Sequence, residues 1–488
     1  MSNTTLTYGP TSKAVSAIVT IGERATLAPT NTDLWKLLGD DAKDSVDPLV
    51  ESKTDVITVF KKSGGDARVQ YTFAHLGKER TRHTGAIRSD LVHDLVAAQT
   101  PKEGDVKIVL ALENQDQVLS AGAAVARAFP LYNKKTSAQK LKARTVNVEI
   151  STAGGKPTTP EQYRHLGNIA DSIRLAARLT DMPCSELNTT TYIAEVKEAI
   201  KDVPTIKAEI ISGEELKTRG FGGIYGVGKA AEEPPAMVVL TYTPEKKTIE
   251  NKPVFVGKGI VYDTGGLSLK SGAGMCGMKG DMGGSAACLG AILAAAKNGY
   301  GGSLTAVLCL AENAIGHKAQ RPDDIVTMYS GKTVELNNTD AEGRLVLGDG
   351  VAYATRDLKA THLIDIATLT GAQLMNTGKK HAAILSRDEA FERAVYAAGQ
   401  TSGDWVFPII YAPEVLKKEF DSKFADMRNS VGDRANAQCS CAGLFVESHL
   451  EDGWTGQWVH VDIAGPAHKD QKATGFGVAL LLDVLQKI

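Results

Sequence analysis

The sequence predicts an α/β protein with two domains. Apolar, β-branched runs alternate with amphipathic helical patterns along most of the 488 residues, an order typical of a sheet covered by helices. A stretch of small and turn-forming residues near position 155 interrupts this alternation. Because one hydrophobic core rarely grows beyond about 250–300 residues, a chain of this length is expected to divide into domains.

The composition excludes several classes of protein. Hydrophobic residues make up 43% of the chain and charged residues 23%, which excludes intrinsic disorder as the main state. The net charge of -2 argues against a nucleic-acid partner. No apolar run approaches the roughly 20 residues that span a bilayer, so neither a membrane partner nor a targeting signal is expected. Six scattered cysteines without a CxxC pair indicate reduced thiols and a cytoplasmic location.

Residues 1–150 are predicted to form a smaller N-terminal α/β domain. Its predicted elements are strands at 17–21, 56–60, 106–112 and 146–150, and a helix at 121–129. Eight of the ten residues from 151 to 160 are Ser, Thr, Gly or Pro, which can continue neither element. Apolar residues then recur at three- and four-residue spacing over 161–180. We therefore expect 151–180 to be a linker and a bridging helix.

Residues 181–488 are predicted to form a larger α/β domain with a mixed central sheet covered by helices. Its predicted elements are strands at 206–211, 238–242, 254–256, 304–310, 363–367 and 458–463, and helices at 285–296 and 390–398. Such sheets carry their chemistry on loops at the carboxyl ends of strands. Polar residues directly after these strands are therefore the candidates for function.

Several common motifs are incomplete or missing. Residues 223–229 nearly form a phosphate-binding loop, but Ala230 stands where a Ser or Thr would bind magnesium. HExxH and GxSxG do not occur. These observations argue against a nucleotide-binding loop, a histidine-bound zinc protease and the common type of serine hydrolase.

Two glycine-rich segments carry the polar candidates. The first presents Lys258, Asp263 and Lys270 after a predicted strand, and Asp281 follows at the start of a predicted helix. Taken alone, Asp281 is better explained as an acidic residue of a first helical turn.

The second segment contains Asp340, Glu342 and Arg344. Taken alone, Asp340 is also explained as an N-cap with Arg344 as its partner on the next turn. If the four carboxylates of both segments converged, they would repel one another strongly without cations. Two divalent ions would neutralise them and provide a known device for activating water. The spacing permits this convergence without requiring it.

Three motifs resemble those of the leucyl (cytosol) aminopeptidase family. They are GKGIVYDTGGLSLK at 257–270, MKGDMGG at 278–284 and NTDAEGR at 338–344. The stretch at 216–231, LKTRGFGGIYGVGKAA, is similar to the animal branch of the family. The resemblance implies a metal-dependent hydrolase that removes N-terminal residues, preferably leucine-like, from short peptides with a free N-terminus.

The resemblance also implies two metal sites. One metal ion would be held at the positions of Lys258, Asp263, Asp281 and Glu342, and an exchangeable ion at those of Asp263, Asp340 and Glu342. Asp263 and Glu342 would bridge the two. An oxygen-rich site with one amine suits zinc first, and also manganese or cobalt.

Further roles follow from the same resemblance. Lys270 matches the lysine that polarises the scissile carbonyl, and Arg344 matches the arginine that holds a bicarbonate ion. Met278, Thr368, Gly371 and Ala464 match the lining of the first side-chain pocket.

Three other expectations complete the sequence analysis. Ala467 departs from the methionine usual in the family, which puts the depth of the pocket in question. His460, on an apolar strand, is interpreted as a satisfied structural histidine. The family implies a homohexamer.

The alternatives are a catalytically inactive scaffold and a nucleic-acid-binding protein of the same fold. The intact ligand positions argue against the first, and the near-neutral charge argues against the second.

Overall fold

The computed structural model describes residues 3–38, 54–62, 68–139, 141–153 and 156–488. The chain divides into two compact units, Met1–Arg174 with Gly399–Gly403, and Leu175–Ala398 with Asp404–Ile488. Each unit contains a mixed sheet with helices. The predicted two-domain α/β fold is therefore confirmed.

The first unit is built on a six-stranded sheet in the order β1-β6-β5-β2-β4-β3. Its strands are β1 (Thr4–Tyr8), β2 (Ala17–Gly22), β3 (Val56–Lys62), β4 (Arg68–His75), β5 (Val106–Leu112) and β6 (Arg144–Thr152). All neighbours are parallel except β3, which pairs antiparallel with β4 at one edge. Every residue of β2 is buried, as expected for a central parallel strand covered on both faces.

The described helices of this unit include the one predicted at 121–129, which spans Val118–Arg127. They are Arg24–Leu27, Thr32–Leu38, Ser89–Gln99, Val118–Arg127 and Thr136–Gln139, with a 3₁₀ turn at Gln115–Gln117. The helix predicted at 161–180 is Pro160–Asp181, which contains residues of both units. Gly154 and Gly155 of the predicted linker lie outside the described residues.

The second unit contains an eight-stranded sheet in the order β15-β14-β17-β13-β9-β10-β8-β7. Its strands are β7 (Ile206–Ser212), β8 (Ala236–Tyr242), β9 (Pro253–Asp263), β10 (Leu304–Asn313), β13 (His362–Ala367), β14 (Ala382–Ser386), β15 (Val406–Pro408) and β17 (Gln457–Asp462). The four central strands, β17, β13, β9 and β10, are parallel. Their carboxyl ends therefore meet at one edge of the sheet.

Smaller elements complete this unit. The short strands are β11 (Ile325–Thr327), β12 (Thr333–Glu335) and β16 (Met427–Arg428) in one sheet, and β18 (His468–Lys469) and β19 (Lys472–Ala473) in another. The remaining helices are Thr189–Ile200, Glu214–Thr218, Gly222–Gly228, Gly272–Met275, Gly283–Lys297, Gly343–Arg356, Ala372–Asn376, Glu389–Ser402, Pro413–Leu416, Gln438–Glu447 and Val478–Val484, with 3₁₀ turns at Met278–Gly280 and Lys417–Phe420. Among the described residues, no helix combines the length and apolar character needed to cross a membrane.

One helix lies unusually close to the sheet. A Cβ atom at Gly284, in the first turn of Gly283–Lys297, would lie 2.1 Å from the carbonyl oxygen of Ile366 in β13. Only glycine allows this backbone approach. The contact fixes the start of the helix, and with it Asp281, beside the edge where the parallel strands end.

Candidate active site

The candidate residues gather at the carboxyl edge of the eight-stranded sheet. Asp263 is the last residue of β9 and pairs in register with Asn313, the last residue of β10. Thr368 directly follows β13, whose final residue pairs with Asp462 of β17. This edge is where open α/β sheets place their ligands.

Three carboxylates meet at the centre of the site. Asp263, Asp340 and Glu342 each offer one oxygen, and these oxygens all lie within 4.8 Å of one another. Asp263 and Glu342 are buried, whereas the side chain of Asp340 is 34% exposed. Like charges so close together need positive charge nearby.

Lys258 supplies one positive charge. Its Nζ lies 2.7 Å from Oδ2 of Asp281 and 2.9 Å from Oε1 of Glu342, and donates to the carbonyl oxygen of Thr368 at 3.1 Å. Burial alone would lower the pKa of Lys258, but the neighbouring carboxylates outweigh burial and raise it. Among protein groups alone, this side chain is an ammonium ion.

Lys270 supplies a second positive charge on the more open side. Its Nζ lies 2.7 Å from Oδ2 of Asp263 and also pairs with Asp340. Burial opposes the charge, yet Asp263 and Glu342 raise the pKa of Lys270 above its ordinary value. The side chain is 16% exposed, so it reaches towards solvent while the ammonium contacts the cluster.

The carboxylates hold more negative charge than these lysines neutralise. Burial is the largest cause that raises the pKa of Asp281, Glu342 and Asp340, and mutual repulsion adds to it. Oε2 of Glu342 is buried and has no hydrogen-bond partner among the described residues. An orphaned carboxylate oxygen beside three other carboxylates fits a divalent cation, which such oxygens favour as ligands. The donor set present therefore fits bound metal.

Arg344 is buried close to the cluster. Its Nε and Nη1 have no hydrogen-bond partner in the part of the chain that the structure describes, and burial lowers its pKa to about 10. Asp340 pairs with Lys270, and the N-cap of the helix Gly343–Arg356 is Glu342. The alternative explanation of Asp340 as an N-cap is thus wrong. Two unpaired guanidinium donors fit a small anion.

Asparagine side chains orient the ligand-bearing segments, and sequence analysis missed them. Nδ2 of Asn313 donates to Oδ1 of Asp263 at 2.8 Å and to the carbonyl oxygen of Thr339 at 3.0 Å. Oδ1 of Asn429 accepts from the backbone nitrogens of Asn337 and Asn338 at 3.0 and 3.3 Å. Asn313 could have been found because it follows a predicted strand at the same edge. Asn429 follows a two-residue strand, which gives no periodic signal.

The predicted pocket residues lie around the same edge. Oγ1 of Thr368 donates to Oδ1 of Asp281 at 2.8 Å. A Cβ atom at Gly283 would lie 3.6 Å from Cγ2 of Thr368 and 3.9 Å from Cβ of Ala467, so these two side chains approach the same point.

The other three predicted lining residues differ in exposure. Met278 and Ala464 are half-buried, and Gly371 is exposed at the start of the helix Ala372–Asn376. Met278 begins the 3₁₀ turn that leads directly to Asp281. Ala464 lies two residues beyond the end of β17.

His460 is paired on one side of its ring. Its Nδ1 lies 2.5 Å from Oδ1 of Asp365, which raises the pKa of the histidine against the effect of burial. Its Nε2 has no hydrogen-bond partner among the described residues, so the structural histidine predicted from the sequence is satisfied at only one of its two ring nitrogens. All six cysteines, each of them a described residue, are unpaired.

Family models cover most of the chain. Residues 174–482 match the cytosol aminopeptidase family, catalytic domain, and residues 16–138 match the M17 aminopeptidase N-terminal domain 2. The chain belongs to the cytosol aminopeptidase family. The resemblance seen in the sequence is therefore confirmed.

Individual relatives agree with this assignment. Probable aminopeptidase NPEPL1 of Homo sapiens is 51% identical over 414 residues, which cover 84% of this chain and 78% of that protein. Leucine aminopeptidase 1 of Caenorhabditis elegans is 45% identical over 386 residues, covering 78% and 76%. The predicted similarity to animal members is thus confirmed.

Solved structures extend the agreement over both units. Leucyl aminopeptidase from Trypanosoma cruzi has a TM-score of 0.89 and 38% identity, covering 99% of this chain and 97% of that one. The Trypanosoma brucei enzyme in complex with bestatin has a TM-score of 0.89 and 36% identity, covering 100% and 96%. As a cytosol aminopeptidase, this chain is a metal-dependent hydrolase. The comparisons give no support to an inactive scaffold or a nucleic-acid-binding protein.

Proposed function

We propose that this cytosol aminopeptidase uses two divalent ions to remove leucine-like residues from the free N-terminus of short peptides. The observation that carries the proposal is the orphaned Oε2 of Glu342 within the cluster of buried carboxylates. Leaving a buried acceptor without a partner costs free energy of folding, and a metal ion bound beside Oε2 would remove that cost.

The ligand sets follow from which oxygens converge. Lys258, Asp263, Asp281 and Glu342 would hold one ion, and Asp263, Asp340 and Glu342 the other. The nitrogen donor favours zinc, while manganese or cobalt suits the same oxygens. When bound, the ions lower the pKa of water and so supply a nucleophile at neutral pH. Lys258 must be neutral to act as a ligand, and a dication beside it would favour the neutral amine.

Two basic side chains act on the substrate. Nζ of Lys270 carries a positive charge at the more open side of the cluster, where it would stabilise negative charge on the scissile carbonyl oxygen. The unpaired Nε and Nη1 of Arg344 would hold a bicarbonate ion, which would supply a general base close to the cluster. Both roles need charge that is held in place before the reaction, and the ion pairs of Lys270 and the burial of Arg344 support this.

The pocket for the first side chain would be lined by Met278, Thr368, Gly371 and Ala464. These residues are apolar or small, which suits a leucine-like side chain. Ala467 approaches the same point as Thr368 and leaves more room than a methionine would. We therefore propose a deeper pocket than in relatives that have methionine there.

The family resemblance also implies how the chain is divided into domains and how it assembles. We assign catalysis to a domain at residues 181–488, preceded by an N-terminal domain at 1–150 and by a linker and bridging helix at 151–180. We also propose that the protein is a homohexamer and that it acts in the cytoplasm. The six cysteines, none of them in a disulfide, support the cytoplasmic location.

A chelation experiment tests the proposed function. Dialysis against EDTA should abolish hydrolysis of a leucine chromogenic amide, and zinc or manganese should restore it with two ions bound per chain. The same amide with an acetylated amino group is the control and should not be cleaved by the loaded enzyme. Cleavage of the blocked substrate would contradict exopeptidase action, and full activity with one ion bound would contradict the dinuclear site.

A further inference from the structure

Asp462 joins two loops that sequence analysis did not connect. It is the last residue of β17 and is fully buried. Oδ1 accepts hydrogen bonds from the backbone nitrogens of Leu369 and Ala464, both at 3.1 Å. Oδ2 accepts from the backbone nitrogen of Thr370 at 3.1 Å and from its Oγ1 at 2.7 Å. One carboxylate therefore fixes both loops.

These loops are the two that carry the proposed pocket lining. The segment 368–371 contains two of the lining residues, and Ala464 is a third. Thr368 is in turn tied to the metal site, because its Oγ1 donates to Asp281. A chain of direct contacts thus runs from a proposed metal ligand through one wall of the pocket to Asp462, and from there to the other wall.

A second set of contacts holds the same loops. The backbone nitrogen of Gln373 donates to Oγ1 of Thr370 at 3.0 Å. Oε1 of Gln373 accepts from the backbone nitrogen of Gly465 at 2.6 Å. The hydroxyl of Thr370 therefore lies between the carboxylate of Asp462 and the backbone nitrogen of Gln373, and the side chain of Gln373 ties the helix Ala372–Asn376 to the loop that carries Ala464.

We propose that Asp462 is a positioning residue that sets the spacing of the two pocket walls and thereby the preference for leucine-like over smaller side chains. The inference rests on the proposed function, since it needs the pocket assigned there. Its physical basis is the number of acceptors: an ionised carboxylate has two acceptor oxygens with room for four donors, whereas an amide has only one. Bonds to an ionised acceptor are also about twice as strong as neutral ones.

The first test is Asp462→Asn. In either orientation the amide places an NH₂ group against one pair of donors, so one loop must shift. We expect the ratio of kcat/KM for leucine over alanine amides to fall about tenfold, the lower end of the discrimination that a hydrophobic pocket achieves for one methylene group. The loss should fall on the leucine substrate, with metal content unchanged. A merely destabilised protein would lose activity on both substrates by the same factor.

A milder pair of variants keeps the test valid if Asp462→Asn does not fold. Thr370→Val preserves the shape of the side chain but removes the hydroxyl, and should lower the leucine-to-alanine ratio in the same direction. Thr370→Ser keeps the hydroxyl and should retain the wild-type ratio.

Asp404→Asn is the matched control, because Oδ2 of Asp404 also accepts hydrogen bonds from backbone nitrogens, those of Gly477 and Leu480. That variant should leave the ratio unchanged.

The outcomes separate this inference from the function on which it rests. Wild-type enzyme without a preference for leucine would overturn the pocket assignment and the role of Asp462 with it. If Asp462→Asn keeps the wild-type preference for leucine, the role of Asp462 alone is overturned. If that variant does not fold, an unchanged preference in Thr370→Val has the same meaning. Loss of metal in proportion to activity in Thr370→Val would mean that the network serves the metal site, and would also overturn it.

Discussion

Nζ of Lys258 lies 2.9 Å from Oε1 of Glu342, and each of these side chains is only 3% exposed. The pair leaves the other carboxylate oxygen of Glu342 without a hydrogen-bond partner among the described residues. A buried ion pair needs its remaining polar atoms satisfied to be stable. This pair is therefore one part of a site that accommodates additional positive charge.

Glu342→Gln should lower bound metal and abolish turnover. The substitution removes a negative charge that both proposed ions share, while the shape of the side chain is kept. Asp263→Asn should behave in the same way for the same reason. Elemental analysis of purified protein, together with hydrolysis of a leucine amide, measures both effects.

The matched control for these variants is Glu335→Gln. Glu335 is also buried, and its Oε2 lies 3.3 Å from Nε of Arg428, but it is not among the proposed metal ligands. This variant should retain its metal and its turnover. Normal turnover in Glu342→Gln or Asp263→Asn would contradict the assignment of two metal ions to this site.

Lys270→Ala should separate catalysis from metal binding. The lysine contributes charge to the cluster but is not among the proposed ligands, so metal should stay bound. Turnover should fall about 10²–10³-fold, as when one oxyanion donor is lost. Release of metal together with the loss of Lys270 would show that its role is structural and not catalytic.

Much of the fold could be predicted because long buried strands and amphipathic helices have strong periodicity. The strand predicted at 254–256 is nevertheless only the start of β9, which continues to Asp263. Gly257 and Lys258 break the apolar run, and a lysine inside a buried strand is explained only by its partners in space. The two- and three-residue strands β16 and β15 are too short for any periodic pattern.

The candidate site was predictable where motifs follow parallel strands. Lys258, Asp281 and Glu342 come from three separate segments, and the structure brings them into direct contact. Asn313 could have been found at its strand end, whereas Asp462 was not predictable, because its carboxylate accepts mainly from backbone groups of distant loops. A single polar residue at a strand end carries no spacing that reveals such partners.

The proposed homohexamer, which the family resemblance implies, should be a closed particle of about six chains, in keeping with the closed point-group symmetry of most oligomers of identical subunits. With a chain mass of 51.8 kDa, light scattering would measure the mass of the particle directly. A hexamer with its active sites facing an internal cavity should cleave di- and tripeptides and leave the N-terminus of a folded protein intact. A fully active monomer would refute the assembly while leaving the metal chemistry untouched.

Acidification should destabilise the protein partly through His449. This fully buried histidine has its Nδ1 2.7 Å from Oγ of Ser330, and burial, followed by the charge of Lys332, lowers its pKa to about 3. Because the pKa in the folded state is depressed below 6.5, the stabilising contribution is complete above pH 6.5 and is lost as the pH falls towards 3. By pH 5 the loss should reach about 2 kcal/mol.

His449→Asn tests this directly, because asparagine keeps a polar atom near Ser330 but does not titrate. The variant should be less stable than wild type at pH 7, since a smaller side chain leaves a cavity. Its deficit should shrink as the pH is lowered to 5, as measured by the midpoint of thermal unfolding. Any acid-induced loss of metal affects both proteins alike and cancels in the difference. A constant deficit in His449→Asn would mean that this buried imidazole does not govern the acid sensitivity of the fold.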